Sequence, residues 1–217
     1  MCGRFTLRVP MTLLVDQFHV KIGTDQQLPL RFNVAPTQDI PIVRQTDAGR
    51  ELAIVRWGLI PSWSKDAKSG PPLINARSET AAEKPAFRSA FKCRRCLIPS
   101  DGFYEWKKVG NKKQPYHFHL THGQLLAFAG LWERWNNIES CTILTTAANE
   151  LAAQFHDRMP VILSPNDYAE WLDPNAKEPA KLLTPFPASE MAAIAVNPIV
   201  NNARNEVPEC IEPFAAE

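Results

Sequence analysis

Four polar side chains that could carry chemistry sit in apolar or aromatic surroundings along this sequence: Cys2, Asn75, Glu105 and His156. Cys2 follows the initiator methionine. Loss of Met1 would leave Cys2 with an α-amine and a thiol on adjacent carbons, a 1,2-aminothiol. The amine titrates near ~7.7–8.0 and the thiol near ~8.5, so each has a reactive fraction at neutral pH. An aldehyde condenses with such an amine to an imine, and the neighbouring sulfur closes a five-membered thiazolidine. A cysteine in this position can equally be a small hydrophobe that tucks the chain start into the core.

Glu105 lies among Phe103, Tyr104 and Trp106. A carboxyl desolvated by aromatics has its pKa raised and can act as a general acid or base. Strand alternation also allows the same residue to face solvent between buried aromatics. His156 stands between Phe155 and the pair Asp157-Arg158, ahead of an apolar run. That setting suits acid–base work, although a lone histidine also serves structure. Asn75 could donate to an oxyanion or orient an amine, or simply form a turn after Pro71-Pro72.

A metal reading starts from Cys93-Arg94-Arg95-Cys96 with His117, His119 and His122 further on. Tetrahedral zinc needs four convergent ligands. His117 and His119 would share one strand face, and Cys96 opens an apolar strand, so the set does not converge. Glycine-rich phosphate loops, H-E-x-x-H and G-x-S-x-G are absent from the sequence. No metal and no organic cofactor is expected.

These residues must be positioned by a chain of 217 residues, 45% hydrophobic and 22% charged, the composition of a globular protein. The length fits one domain over 1–217. The absence of a long apolar run argues against a membrane span, and the lack of a secretion signal suggests a cytoplasmic protein. The five cysteines show no disulfide spacing, and nineteen prolines against nine glycines favour loops and short strands. The formal charge of +1 hides an asymmetry. Residues 77–113 hold ten Lys/Arg and four Asp/Glu, whereas residues 114–217 hold five and thirteen. A basic block of this kind suits an anionic partner.

Hydrophobic spacing predicts a short helix over 10–19, opened by Pro10, and a turn-like segment over 32–37. Strands are expected at 40–43, with Pro41 at an edge or strand start, and at 51–57. A loop over 61–72 carries Trp63, an aromatic suited to stacking on a ligand. Ser78 or Thr80 can cap a short helix, and 85–91 reads as helical. Further strands are expected at 96–99, 101–106, 116–120, 125–132, 141–146 and 161–163, with a basic hairpin connection over 107–114 around Gly110-Asn111. Helical turns follow at 149–155, 165–172 and 180–183. The pattern predicts an α+β fold built on a mostly antiparallel, barrel-like sheet with short flanking helices.

Six segments taken in order carry a family resemblance. They are Met-Cys-Gly-Arg-Phe at 1–5, Phe-Asn-Val-Ala-Pro at 32–36, Trp-Gly-Leu-Ile-Pro at 57–61, Ile-Asn-Ala-Arg-Ser-Glu-Thr at 74–80, Arg-Arg-Cys-Leu-Ile-Pro-Ser-Asp-Gly-Phe-Tyr-Glu-Trp at 94–106 and His-Asp-Arg-Met-Pro at 156–160. Together they resemble the SOS-response-associated peptidase (SRAP) family, proteins that shield abasic sites in single-stranded DNA. The motifs lie within 1–165, and the C-terminal tail is matched more loosely.

The resemblance implies a monomer that crosslinks to abasic DNA through a thiazolidine on Cys2 after loss of Met1. Asn75 would position the amine and sugar, Glu105 would shuttle protons, and His156 would assist the same steps. Arg4 and Arg77 would hold phosphates, with Trp63 near the strand and Gly3, Asn33, Pro36 and Thr145 as further contacts. The loop around Trp63 lacks the second adjacent aromatic often found there. A lyase side reaction and self-processing are further implications. A thiol peptidase on Cys2, His156 and Glu105, and a non-catalytic single-stranded-DNA module, are the alternatives.

Overall fold

Short β-branched and aromatic runs, cut by prolines and tight turns, give twelve strands in a computed structural model that describes residues 2–21, 28–67 and 70–214. Met1 lies outside the described residues, as do Lys68 and Ser69 of the loop carrying Trp63. The strands are β1 (Phe5–Leu7), β2 (Arg31–Val34), β3 (Asp39–Thr46), β4 (Gly49–Trp57), β5 (Asn75–Arg77) and β6 (Arg95–Ser100), followed by β7 (Gly102–Val109), β8 (Lys112–Leu120), β9 (Leu126–Trp135), β10 (Ile138–Ala147), β11 (Arg158–Pro160) and β12 (Met191–Ala195). The α-helices are short: α1 (Met11–Phe18), α2 (Ser78–Ala81), α3 (Arg88–Cys93) and α4 (Tyr168–Leu172).

β4, β3, β6, β9 and β10 form a closed ring, because β10 pairs with both β9 and β4. Every pairing between strands is antiparallel except those of β10 with β4 and β5. The second sheet runs β12-β8-β7-β1-β2. Alternation sends side chains to two apolar layers. Leu97, Ala127 and Leu131 pack with Phe18 and Trp171 on the helical side. Ile98, Leu126 and Phe128 pack with Phe5, Phe103 and Phe118 of the second sheet. The latter layer interlocks through rings, Phe5 to Trp57 at 5.2 Å and Phe103 to Phe118 at 4.9 Å.

The α+β, mostly antiparallel architecture is the one expected, with local corrections. Residues 31–34 form β2 rather than only a turn. Pro41 lies early in β3, where β4 pairs along the whole strand but β6 meets it only at Val43, so its missing N–H leaves no gap in a ladder. The strand expected at 161–163 lies three residues earlier, as β11, where Pro160 registers with Thr145. Val161 and Leu163 instead donate singly to Leu144 and Ala127 carbonyls. The helix expected at 85–91 is shifted to α3, after a turn in which Lys84 O accepts from Phe87 and Arg88. The segment 165–172 divides into a 3₁₀ turn at Pro165–Asp167 and α4. The turns near 149–155 and 180–183 are 3₁₀, at Ala152–Gln154 and Pro179–Leu182. No side chain caps α2, so neither Ser78 nor Thr80 has that role. No helix among the described residues is long and apolar enough to cross a membrane.

Candidate functional site

The site is built on the extension of β1 toward the chain start. Tyr104 N donates to Arg4 O at 3.0 Å, so residues before Phe5 continue alongside β7. The Ser100-Asp101-Gly102 corner fixes that register. Asp101 N donates to Thr6 O, and Ser100 Oγ donates to Thr6 O at 3.1 Å and Gly102 O at 2.8 Å. The Asp101 carboxylate accepts from Arg8 N and pairs with its guanidinium at 2.5 Å.

Cys2 is fully buried in the same apolar layer as Phe5, Trp57, Phe103 and Ile143. Burial first, and then the negative charge of Glu105, pushes its thiol well above the usual range. Asn75 Nδ2 donates to Cys2 O at 2.8 Å. The buried Oδ1 of Asn75 has no hydrogen-bond partner among the described residues. One face of that amide is therefore fixed and the other is an unclaimed acceptor.

Glu105 sits on β7 at 5% exposure, which excludes the solvent-facing alternative. Alternation explains its direction: Phe103, two residues earlier, packs in the layer of Cys2, whereas Tyr104 faces Val196 and Val200. Glu105 and His156 line one groove of about 960 Å³ with Trp106, Lys112, Lys113 and Phe214. His156 Nδ1 lies 3.0 Å from Arg158 N and 2.6 Å from Asp157 Oδ1. A neutral ring accepts from the first, and a protonated ring donates to the second. The imidazole thus has a partner in either protonation state, as proton transfer requires.

β10 brings the remaining pieces together. Its end pairs with β5 on one side, Asn75 to Ile143 and Arg77 to Thr145, and with β11 on the other, Thr145 to Pro160. Arg77 is exposed at the end of β5. Arg4 is half-buried, with Nη1 donating to Asn33 Oδ1 at 2.7 Å and to Val200 O at 3.0 Å. Burial lowers the Arg4 pKa from its ordinary value.

A family model described as SOS response associated peptidase (SRAP) matches residues 1–203. The chain belongs to the SRAP family. The abasic site processing protein YoqW of Bacillus subtilis (strain 168) is 45% identical over 226 residues, covering 98% of this chain and 99% of that protein. The abasic site processing protein YoaM of the same organism is 42% identical, covering 98% of both. A crystal structure of a protein from Bacteroides thetaiotaomicron superposes with a TM-score of 0.85 at 25% identity, covering 99% of this chain and all of that one.

Not every residue expected from the SRAP motifs meets the groove directly. Asn33 is fully buried, and its amide donates to the carbonyls of Val200, Asn202 and Asn205 while its oxygen holds Arg4. Thr145 is buried too, its hydroxyl 3.5 Å from Ala76 O. In this structure both side chains are engaged within the protein. Gly3 and Pro36 are half-buried. Trp63 is 66% exposed and lines a separate cavity with Arg56, Pro61 and Pro71. Cys93 is exposed and Cys96 is buried, so the C-x-x-C pair splits between surface and core. Among the described residues no group of three or more His, Cys, Asp or Glu is arranged to hold a metal ion.

Sequence reasoning missed Arg158, although it lies in a quoted motif. Its guanidinium grips Glu79 at 2.5 and 2.8 Å and also donates to Thr145 O, tying α2 to the end of β10. It missed Glu206 as well, whose carboxylate accepts from Phe32 N and Asn33 N and pins the C-terminal segment over β2. An arginine two residues from a candidate acid–base histidine was the available signal for the first. Nothing local signalled the second.

Proposed function

We propose that this protein binds single-stranded DNA and crosslinks to abasic sites through Cys2, shielding them in the DNA damage response. The observation that carries the reading is the convergence on one residue: Asn75 grips the Cys2 backbone while the Glu105 charge bears on its thiol. The name shared by the relatives, abasic site processing protein, agrees with it.

The chemistry follows from the groups present. With Met1 removed, the Cys2 amine adds to the aldehyde of the ring-opened sugar, and the resulting carbinolamine loses water to give an imine. The thiol sulfur then adds to the imine carbon and its proton passes to the nitrogen, closing the thiazolidine with net loss of one water. The unclaimed Oδ1 of Asn75 is an acceptor for the amine. Because the thiol is held protonated, its attack needs a proton acceptor, and Glu105 has that role. His156 carries the proton needed to open the sugar and expel water. Arg4 and Arg77 hold flanking phosphates, contacts that tolerate any sequence. Loss of a proton beside the imine would open a β-elimination route, a lyase side reaction. A thiol peptidase on Cys2, His156 and Glu105 is the alternative, and it needs the same thiol deprotonated. We read residues 1–217 as one such unit, acting as a cytoplasmic monomer.

Single-turnover crosslinking to an oligonucleotide with one abasic site, followed on denaturing gels, tests the assignment. Glu105→Gln is expected to slow adduct formation about 10²–10⁴-fold, the usual worth of general acid–base catalysis. An unchanged rate would remove Glu105 from the mechanism.

A further inference from the structure

The groove that holds Glu105 and His156 continues past them, between the β7–β8 hairpin and the C-terminal segment. Lys107, Lys108, Lys112 and Lys113 all lie on this hairpin, whose turn is Gly110-Asn111 with Gly110 at φ +58°. Among the described residues, none of the four is in an ion pair. Lys107 Nζ lies 5.4 Å from the centroid of the Phe155 ring, which holds the hairpin against the residue next to His156. Lys112 and Lys113 are exposed and line the groove.

The C-terminal segment, through Pro198, Asn201 and Phe214, forms the other wall and is fixed. Trp106 Nε1 donates to Asn201 Oδ1 at 2.7 Å, fastening the C-terminal segment to β7. Phe214 is 39% exposed, yet its backbone N donates to Ala195 O at 2.9 Å. On the hairpin itself, Val109, which registers with Lys112, is 50% exposed. Hairpin cations and an anchored aromatic of the C-terminal segment lining one groove match a single nucleic-acid strand, which offers phosphates on one side and bases on the other.

We infer that this stretch is a second subsite for the single-stranded DNA, in which Lys112 and Lys113 hold phosphates and Phe214 stacks on a base beyond the lesion. The inference rests on the proposed function and extends it to nucleotides that do not react.

The test is equilibrium binding of oligonucleotides bearing a non-reactive tetrahydrofuran abasic analogue, across a salt series. For Lys112→Gln/Lys113→Gln, the slope of log K against log salt should fall by about 1.4, about 0.7 for each phosphate released. Phe214→Ala should weaken binding about tenfold with the slope unchanged, since base stacking carries no counterion. Lys92→Gln/Lys177→Gln, in a basic cavity beside α3, should alter neither value. Equal slopes for wild type and Lys112→Gln/Lys113→Gln would overturn the inference, as would an equal loss in the α3 pair. Competition by a polyglutamate peptide as effective as that by DNA of equal charge would also overturn it, pointing to an acidic protein partner instead. Wild-type protein that crosslinks while showing any of these failures would sink only the subsite. Wild-type protein that never crosslinks would sink the proposed function itself.

Discussion

Two polar clusters sit at opposite ends of one short strand, and they are built differently. At the Thr6 end, the hydroxyls of Thr6 and Ser100, the Gly102 backbone and His117 satisfy one another. Thr6 Oγ1 lies 3.0 Å from His117 Nε2, and Ser100 Oγ both donates to and accepts from Gly102. At the Cys2 end, Asn75 is held by one atom and leaves its other polar atom unclaimed, beside a buried thiol. Buried polar groups that close on themselves make a rigid bracket, whereas those left open are positioned for something not yet bound. The bracket sets the register of β1, and the register carries Cys2 to Asn75.

Substitutions at the two ends should therefore fail in different ways. The largest contrast is between Glu105→Gln and Gly102→Ala. The first removes the proposed proton acceptor and should reduce crosslinking by orders of magnitude while leaving the melting temperature within a few degrees. The second places a Cβ 2.2 Å from His117 Nε2 and 2.6 Å from Phe118 O, where backbone cannot yield. It should cost about 3 kcal/mol in urea unfolding, with crosslinking lost only in proportion to the unfolded fraction. A stable Gly102→Ala protein with slow chemistry would erase the distinction.

A further effect distinguishes the bracket by pH. Burial first, then the positive charges of Arg8 and His119, pushes the His117 pKa down from 6.5 to about 3. Between those values the unfolded chain takes up a proton that the folded chain refuses. Stability should thus be fully present above about pH 6.5 and fall with decreasing pH, by about 1.4 kcal/mol per pH unit from this group. Urea midpoints from pH 7.5 to 4 would check it, and His117→Gln should flatten the acid limb.

Much of this was legible in the sequence, for identifiable reasons. β4, β8, β9 and β10 are long enough for alternation and apolar runs to reveal them. β1, β5 and β11 have three residues each and carry no periodicity, yet they bear or border Cys2, Asn75 and His156. Ring closure was not readable either, since it depends on parallel pairing of β10 with β4, segments about eighty residues apart. For Cys2 the two opening alternatives proved not to exclude each other. It is packed as a small hydrophobe and lies against the groups that could use its chemistry. The family resemblance points to Asn33 and Thr145 as ligand contacts, and only tertiary structure reveals that both are buried.

The central claim is that the open end of β1 forms a covalent bond using both the amine and the thiol of Cys2. Intact mass of the purified protein, before and after incubation with single-stranded DNA containing one abasic site, tests it most directly. The account predicts a protein lacking Met1 that gains the mass of the oligonucleotide less one water, with no such adduct for Cys2→Ala. Protein that has lost Met1 but gains no mass, or an adduct that persists in Cys2→Ala, would contradict it.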